Sequence, residues 1–454
     1  MAKYKTPGIY VEESPFLDSI NSIPITAVFI GYTEKHQNLK DENLFHIPTK
    51  VSSIQEFESY FGFPQKENNL EITDESTPVS EKISVRFNGS QSLHNLYYSI
   101  QSFFDQGKSS CEIISIGNYK NLGESLVLED FLLGLEILNS NSGNILIAVP
   151  ENQNLADDHF YLLQQNLLDF CRQNLAFTVL DLPKTSAKKF IKTIESYRVN
   201  LQSSSLSFGA AFFPNLVTAN AYSYEDEALK IKKNNQEYFL ASLKDSDPEL
   251  CKKYKDYLRQ FYVSLPPSAA IVGAFLQSDK LRGIWHAPAN IALHKIIKPE
   301  ISLTSADQEL LNVDPLSGKS INAVRNFSEQ GILIWGSRTL NGNDTEWRYI
   351  PTRRFFSAVQ IDIQAYLNEY AVNGDSATVC ANISNMVEIY LHNYFNQGAF
   401  PGATPTDSYI VNCGLGKTMT LKDVEEGNVI LSVLLAPVRS QEFIIMMFLQ
   451  KSTP

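Results

Sequence analysis

Residues 144–183 read NILIAVPENQNLADDHFYLLQQNLLDFCRQNLAFTVLDLP: a short apolar run, a long mixed stretch, then a second apolar run. After its first residue, Asn144–Pro150 has no polar face, the pattern of a strand covered on both sides and closed by proline. His159–Asn174 carries apolar residues at helical spacing, and Phe177–Pro183 repeats the buried-strand pattern. Strand, helix, strand in this order predicts a crossover unit of a parallel sheet.

The rhythm extends in both directions. Upstream, Ile25–Tyr32 and Cys111–Ile116 read as strands, and Leu93–Gly107 and Leu126–Leu138 as helices. Val51–Phe61 has helical spacing through Ile54 and Phe57. Downstream come a helix over Ala187–Val199 and a strand over Phe208–Pro214. The polar stretches near 65–80 and 220–250 read as solvated surface insertions. Pro266-Pro267 marks a boundary, followed by a helix from Ser268 to Ser278. The predicted fold is α/β (α+β), with four parts: an N-terminal arm at 1–24, an α/β domain with a mostly parallel sheet at 25–264, a second, mixed α+β domain at 265–440, and a C-terminal β-arm at 441–454.

Composition narrows function. The chain has 454 residues, 38 Lys+Arg against 50 Asp+Glu, and a net charge of -12. That balance argues against a nucleic-acid partner and against direct binding to an anionic membrane. At 43% hydrophobic and 19% charged residues, a sizeable core is expected. Five dispersed cysteines suggest no disulfide framework and a reducing compartment. The first residues lack an apolar signal-peptide core, so synthesis in the cytoplasm is expected.

Chemistry is hard to find. Three strings end like a phosphate loop: Gly107-Lys108-Ser109, Gly318-Lys319-Ser320 and Gly416-Lys417-Thr418. Each lacks the earlier glycine that lets the backbone cradle phosphates; Ser102, Val313 and Val411 stand there. There is no dinucleotide fingerprint, no nucleophile elbow and no zinc-ligand spacing among seven scattered histidines. No catalytic residue, metal ligand or cofactor is assigned, and a structural or interaction role gains weight.

Two terminal segments then stand out. Phe443-Ile444-Ile445-Met446-Met447-Phe448-Leu449 has no polar face and demands cover on both sides. It pairs within its own domain or adds to the sheet of a neighbouring copy. Ile9-Tyr10-Val11 has the same choice. Gly8 and the joint Ser440-Gln441-Glu442 are hinge candidates. Five arginines, Arg325, Arg338, Arg348, Arg353 and Arg354, fall within thirty residues of an acidic chain. They either pair across an interface or fix their own domain.

These residues carry a resemblance. Tyr4–Glu13 (YKTPGIYVEE), Pro266–Ala274 (PPSAAIVGA) and Asp279–Asn290 (DKLRGIWHAPAN) resemble stretches of contractile tail sheath proteins of phage tails, tailocins and extracellular injection systems. So do Ile321–Phe327, Gly331–Leu340, Trp347–Arg354 (WRYIPTRR), Gly398–Gly402 and Ala436–Phe443. Gly414 stands where the family often has an acid. The resemblance implies a homo-oligomer of stacked hexameric rings around an inner tube, joined to baseplate and terminal cap proteins, with paralogous sheath subunits as further candidates. It implies that 265–440 faces the tube, that the arms tether neighbours by strand addition, and that the sheath contracts to drive the tube through an envelope. Assembly in the bacterial cytoplasm, within a virion or tail-like particle, is expected. A metabolic α/β enzyme with an unrecognised site and a monomeric binding module are the alternatives.

Overall fold

The computed structural model describes residues 20–138, 143–234, 236–369, 376–437 and 444–451. The chain divides into two compact units, Pro24–Ser357, and Ala358–Pro454 together with Met1–Ile23.

The larger unit is built on a nine-stranded sheet. Its order is Ile291–Ala292, Gly331–Trp335, Ile321–Phe327, Gly209–Phe213, Phe177–Asp181, Asn144–Ala148, Ile25–Thr33, Cys111–Asn118 and Thr49–Val51. The run from Ile321–Phe327 to Cys111–Asn118 is parallel throughout, and antiparallel strands close both ends. Alternate residues feed two cores. Val28, Ile30, Ile145, Ile147 and Ala211 join Phe131, Leu163, Leu167 and Tyr197, from helices Leu128–Ile137, Asp157–Gln173 and Phe190–Asn200. Ala27, Phe29, Leu146, Val179 and Phe212 join Phe57, Phe103 and Phe275, from helices Ile54–Phe61, Leu96–Asp105 and Ser268–Arg282. Cover on both faces is the physical reason these strands read as continuous apolar runs.

Helix Ser268–Arg282 is buried almost all round and lies in the second core. It approaches helix Leu96–Asp105 so closely that a Cβ on Gly273 would sit 2.6 Å from the Phe103 carbonyl oxygen. The strands at 321–327 and 331–335 extend the same sheet. The Pro266-Pro267 pair leads directly into this helix, and the two compact units part in sequence at 357/358.

The two polar stretches near 65–80 and 220–250 carry strands. They meet in a second sheet of order Gln236–Phe239, Lys230–Lys233, Leu70–Asp74 and Ile83–Phe87. It packs with helix Pro248–Arg259 around Leu70, Ile72, Leu229, Ile231, Tyr254 and Leu258. Some of the charge that reads as solvated is held inside. The Glu71 carboxylate is buried and meets Arg86 Nη2 at 2.6 Å and Lys232 Nζ at 2.9 Å. Burial pushes its pKa up, but hydrogen bonds from Lys232 and Arg86 outweigh that and hold it below the usual range. Asp74 takes Tyr254 Oη–H at 2.7 Å and Lys233 Nζ at 3.0 Å.

In the smaller unit, an antiparallel sheet of order Tyr409–Cys413, Asn428–Leu435 and Ile444–Lys451 packs on helix Ser376–Asn396. A Cys380–Cys413 disulfide, Cα–Cα 5.3 Å, ties that helix to the sheet. The expectation of unbridged cysteines is corrected for this pair; a separation of 33 residues carries no spacing signal. Cys111, Cys171 and Cys251 are buried free thiols. Among the described residues, no helix is long and apolar enough to cross a membrane.

Candidate functional site

The sheet of the smaller unit has one covered and one open face. Its register sets Ile444 opposite Leu435, Met446 opposite Val433 and Phe448 opposite Leu431. Met446, Phe448, Val429, Leu431, Val433 and Leu435 are buried. The alternate residues of the last strand point the other way: Ile445 is 61% exposed, Met447 59% and Leu449 59%. Across the register stand half-buried Leu434 and Ile430 and buried Ser432, and beyond Leu434 lies Ile410, which is exposed. The outer face is therefore an apolar stripe. Strand Ile444–Lys451 forms one edge of a sheet that has three strands among the described residues. Open edges and apolar stripes of this kind recruit further strands or surfaces.

The sequence expected cover on both faces of 443–449. Among the described residues one face is covered, and the strand pairs with Asn428–Leu435 of its own chain. Gly8, Ile9, Tyr10, Val11, Ser440, Gln441, Glu442 and Phe443 lie outside the described residues. The described end of the N-terminal arm is clamped in the same unit. The Ile23 N–H donates to Asp362 Oδ1 at 2.8 Å, Tyr390 Oη–H donates to Asp362 Oδ2 at 2.6 Å, and Ser22 Oγ lies 2.9 Å from Tyr394 Oη. Burial raises the Asp362 pKa. Sequence reasoning missed this clamp; its signal was a single acid within the apolar run FFSAVQIDIQAYL at 355–367.

The arginines separate into two kinds. Arg354 is 4% exposed, and its Nη2 meets Asp279 Oδ2 at 2.5 Å, so it fixes its own unit. Arg353, 6% exposed, lies over the rings of Trp347 at 3.9 Å and Phe208 at 4.5 Å. Arg325 donates to Gln308, Arg338 to the carbonyls of Asn312 and Gly342, and Arg348 to the Asp344 carbonyl. Of the five arginines, Arg353 and Arg354 are buried and the other three are half-buried.

The position that suits an enzyme is filled by the chain itself. In open α/β sheets ligands enter beyond the carboxyl ends of strands where the order reverses. Here that point lies between Ile25–Thr33 and Asn144–Ala148. Fully buried Glu151 sits there and accepts the Tyr32 N–H at 3.0 Å and the Leu96 N–H at 3.4 Å. His94 Nδ1 stands 3.5 Å from Glu151 Oε1, and His94 Nε2 accepts the Lys120 N–H at 2.9 Å. The carboxylate takes the backbone donors that an anionic ligand would use. A surface groove of about 920 Å³ between helices Asp157–Gln173 and Phe190–Asn200 mixes Lys184, Lys189 and Lys192 with Asp157 and Asp158. It assembles no nucleophile with a base. Among the described residues, no group of three or more His, Cys, Asp or Glu is placed to hold a metal ion.

No family model matches the chain. A stretch of 149 residues, 32% of the chain, is 25% identical to a tail sheath protein of Salmonella phage ViI and spans 22% of that protein's length. Over 99% of this chain and 98% of the other, the structure is similar to the contracted sheath complex of the PVC extracellular contractile injection system, with TM-score 0.64 and 22% identity. It is similar over 98% and 99% to the contracted helical sheath of the anti-feeding prophage, with TM-score 0.61 and 22% identity. The chain has the fold of contractile sheath proteins.

Proposed function

We propose that this chain is the structural subunit of a contractile sheath. Copies stack as hexameric rings around an inner tube, attach to baseplate and cap proteins, and contract to drive the tube through a target envelope. Assembly takes place in the bacterial cytoplasm, and the product is a virion tail or a tail-like particle. The observation that carries the reading is the open apolar sheet ending in Ile444–Lys451. A monomer gains nothing from Ile445, Met447 and Leu449 in water. Covering each contributes about 1–2 kcal/mol, and the sum over a polymer is large.

The arms act as tethers in this reading. The edge of Ile444–Lys451, open among the described residues, offers backbone groups to a strand from another copy, such as the patch Ile9-Tyr10-Val11. Backbone pairing of this kind persists while rings rotate, because it depends little on side-chain contacts. Gly8 and Ser440-Gln441-Glu442 are the joints that absorb the motion.

The test is a double substitution on the open face, Met447→Lys with Leu449→Lys. Sedimentation of this variant should show monomers with unchanged circular dichroism, while the unaltered chain sediments as large assemblies. Assembly of the variant equal to that of the parent removes the open face from the account.

A further inference from the structure

Several arginines of the larger unit lack a directly paired carboxylate. Among the described residues, Arg325, Arg338, Arg348 and Arg353 have no carboxylate within ion-pair distance, in a chain with a twelve-charge excess of acids. Three of them share one tightly held segment. Thr339 N–H bonds the Arg348 carbonyl at 2.9 Å, and Ile350 N–H bonds the Ser337 carbonyl at 2.9 Å. The segment's own acids do not neutralise them. Asp344 accepts the N–H groups of Glu346 and Trp347 and the Asn341 side chain, and Glu346 is exposed.

Arg353 is the sharpest case. Its guanidinium is held between Trp347 and Phe208, and its Nε is sealed without a hydrogen-bond partner. Burial alone lowers its pKa to about 10. A buried cation without a partner is costly and is normally paired. Its small remaining exposure leaves the terminal nitrogens as the approachable atoms. An arginine desolvated by flat rings, with its fork unspent, has the features of an interface anchor: pre-organised, framed by Trp, and stripped of water before the partner arrives.

We propose that the segment Arg338–Arg353 is an acid-docking surface, with Arg353 as its anchor, and that its occupant is a carboxylate of a second copy of this chain. Charge complementarity selects that occupant: every copy carries the acid excess that this patch lacks. The inference rests on the assembly reading only in naming a second copy. Arg338 and Arg348, half-buried at the rim, orient the approach, and Arg353 closes on the carboxylate.

The test compares the full chain with Arg353→Met and Arg348→Gln by sedimentation across a salt series, alongside thermal melts at dilution. Methionine fills the slot between the rings without a charge. Arg353→Met should melt no lower than the parent yet self-associate at least about tenfold more weakly, and Arg348→Gln about threefold more weakly. Association should fall with added salt in the parent and respond less in the variants. Should Arg353→Met fail to fold, Arg348→Gln carries the test. Unchanged association in the variants overturns the proposal even where the parent forms cylinders. Association lost in the variants while the parent forms only non-tubular oligomers leaves the proposal standing and removes the sheath reading. A parent that stays monomeric contradicts both.

Discussion

The sheet of Pro24–Ser357 and the sheet of Ala358–Pro454 use equally apolar strands under opposite conditions. Ile25–Thr33 has helices and core side chains on both faces, and Phe29 is fully buried with its ring 5.2 Å from that of Phe103. Ile444–Lys451 is just as apolar from Ile444 to Leu449, yet every second side chain faces solvent. Apolar character alone therefore does not mark a strand as core. The larger unit covers its own strands; among the described residues, the smaller one leaves one face of its sheet uncovered.

The comparison can be broken most directly by truncation. Phe29→Ala should cost about 3–5 kcal/mol in denaturant unfolding of the dilute chain, whereas Met447→Ala should stay within about 0.5 kcal/mol. Similar costs for the two would mean that the outer face of Ile444–Lys451 is covered within the monomer. The Cys380–Cys413 bridge sharpens the contrast at somewhat smaller scale. Closing a loop of 33 residues is worth about 3–4 kcal/mol, and its reduction should destabilise the smaller unit alone. Hydrogen exchange should then rise in Ser376–Asn396 and Tyr409–Cys413 while Ile25–Thr33 keeps its protection.

The smallest effect belongs to the larger unit and follows pH. Glu67 is buried, and desolvation lifts its pKa from 4.5 to about 7 despite two bonds from the Ser92 N–H. Asp181, fully enclosed, is likewise raised to about 7 by burial. A carboxyl raised in the folded state holds its proton there over a range in which the unfolded chain has released it. Its stabilising contribution is complete below about pH 4.5 and is lost as pH rises through about 7. Glu67→Gln should therefore match the parent near pH 4.5 and exceed it by about 2–3 kcal/mol at pH 8. Parallel stability curves for the two would refute the assignment.

Much of the larger unit was legible because double cover leaves a plain mark. The strands at 25, 144, 177 and 209 and the helices between them lie where the apolar runs put them, with ends shifted by a few residues. What was not legible depends on distant residues. Nothing local in Ile321–Phe327 says that it lies beside Gly209–Phe213. Lys230–Lys233 looks solvated until Leu70–Asp74 pairs with it and buries Glu71 beneath Lys232. Arg353 and Arg354 are adjacent and identical, and only the fold shows that one meets Asp279 and the other meets rings. The terminal strand was legible as a strand, but which of its faces lacks a cover required the register with Asn428–Leu435.

The central claim is that this chain polymerises as a sheath, and electron microscopy of the purified full chain tests it most directly. The account predicts hollow cylinders or six-fold rings, with Ile445, Met447 and Leu449 buried against another copy. Monodisperse single chains at every concentration and salt level would contradict it.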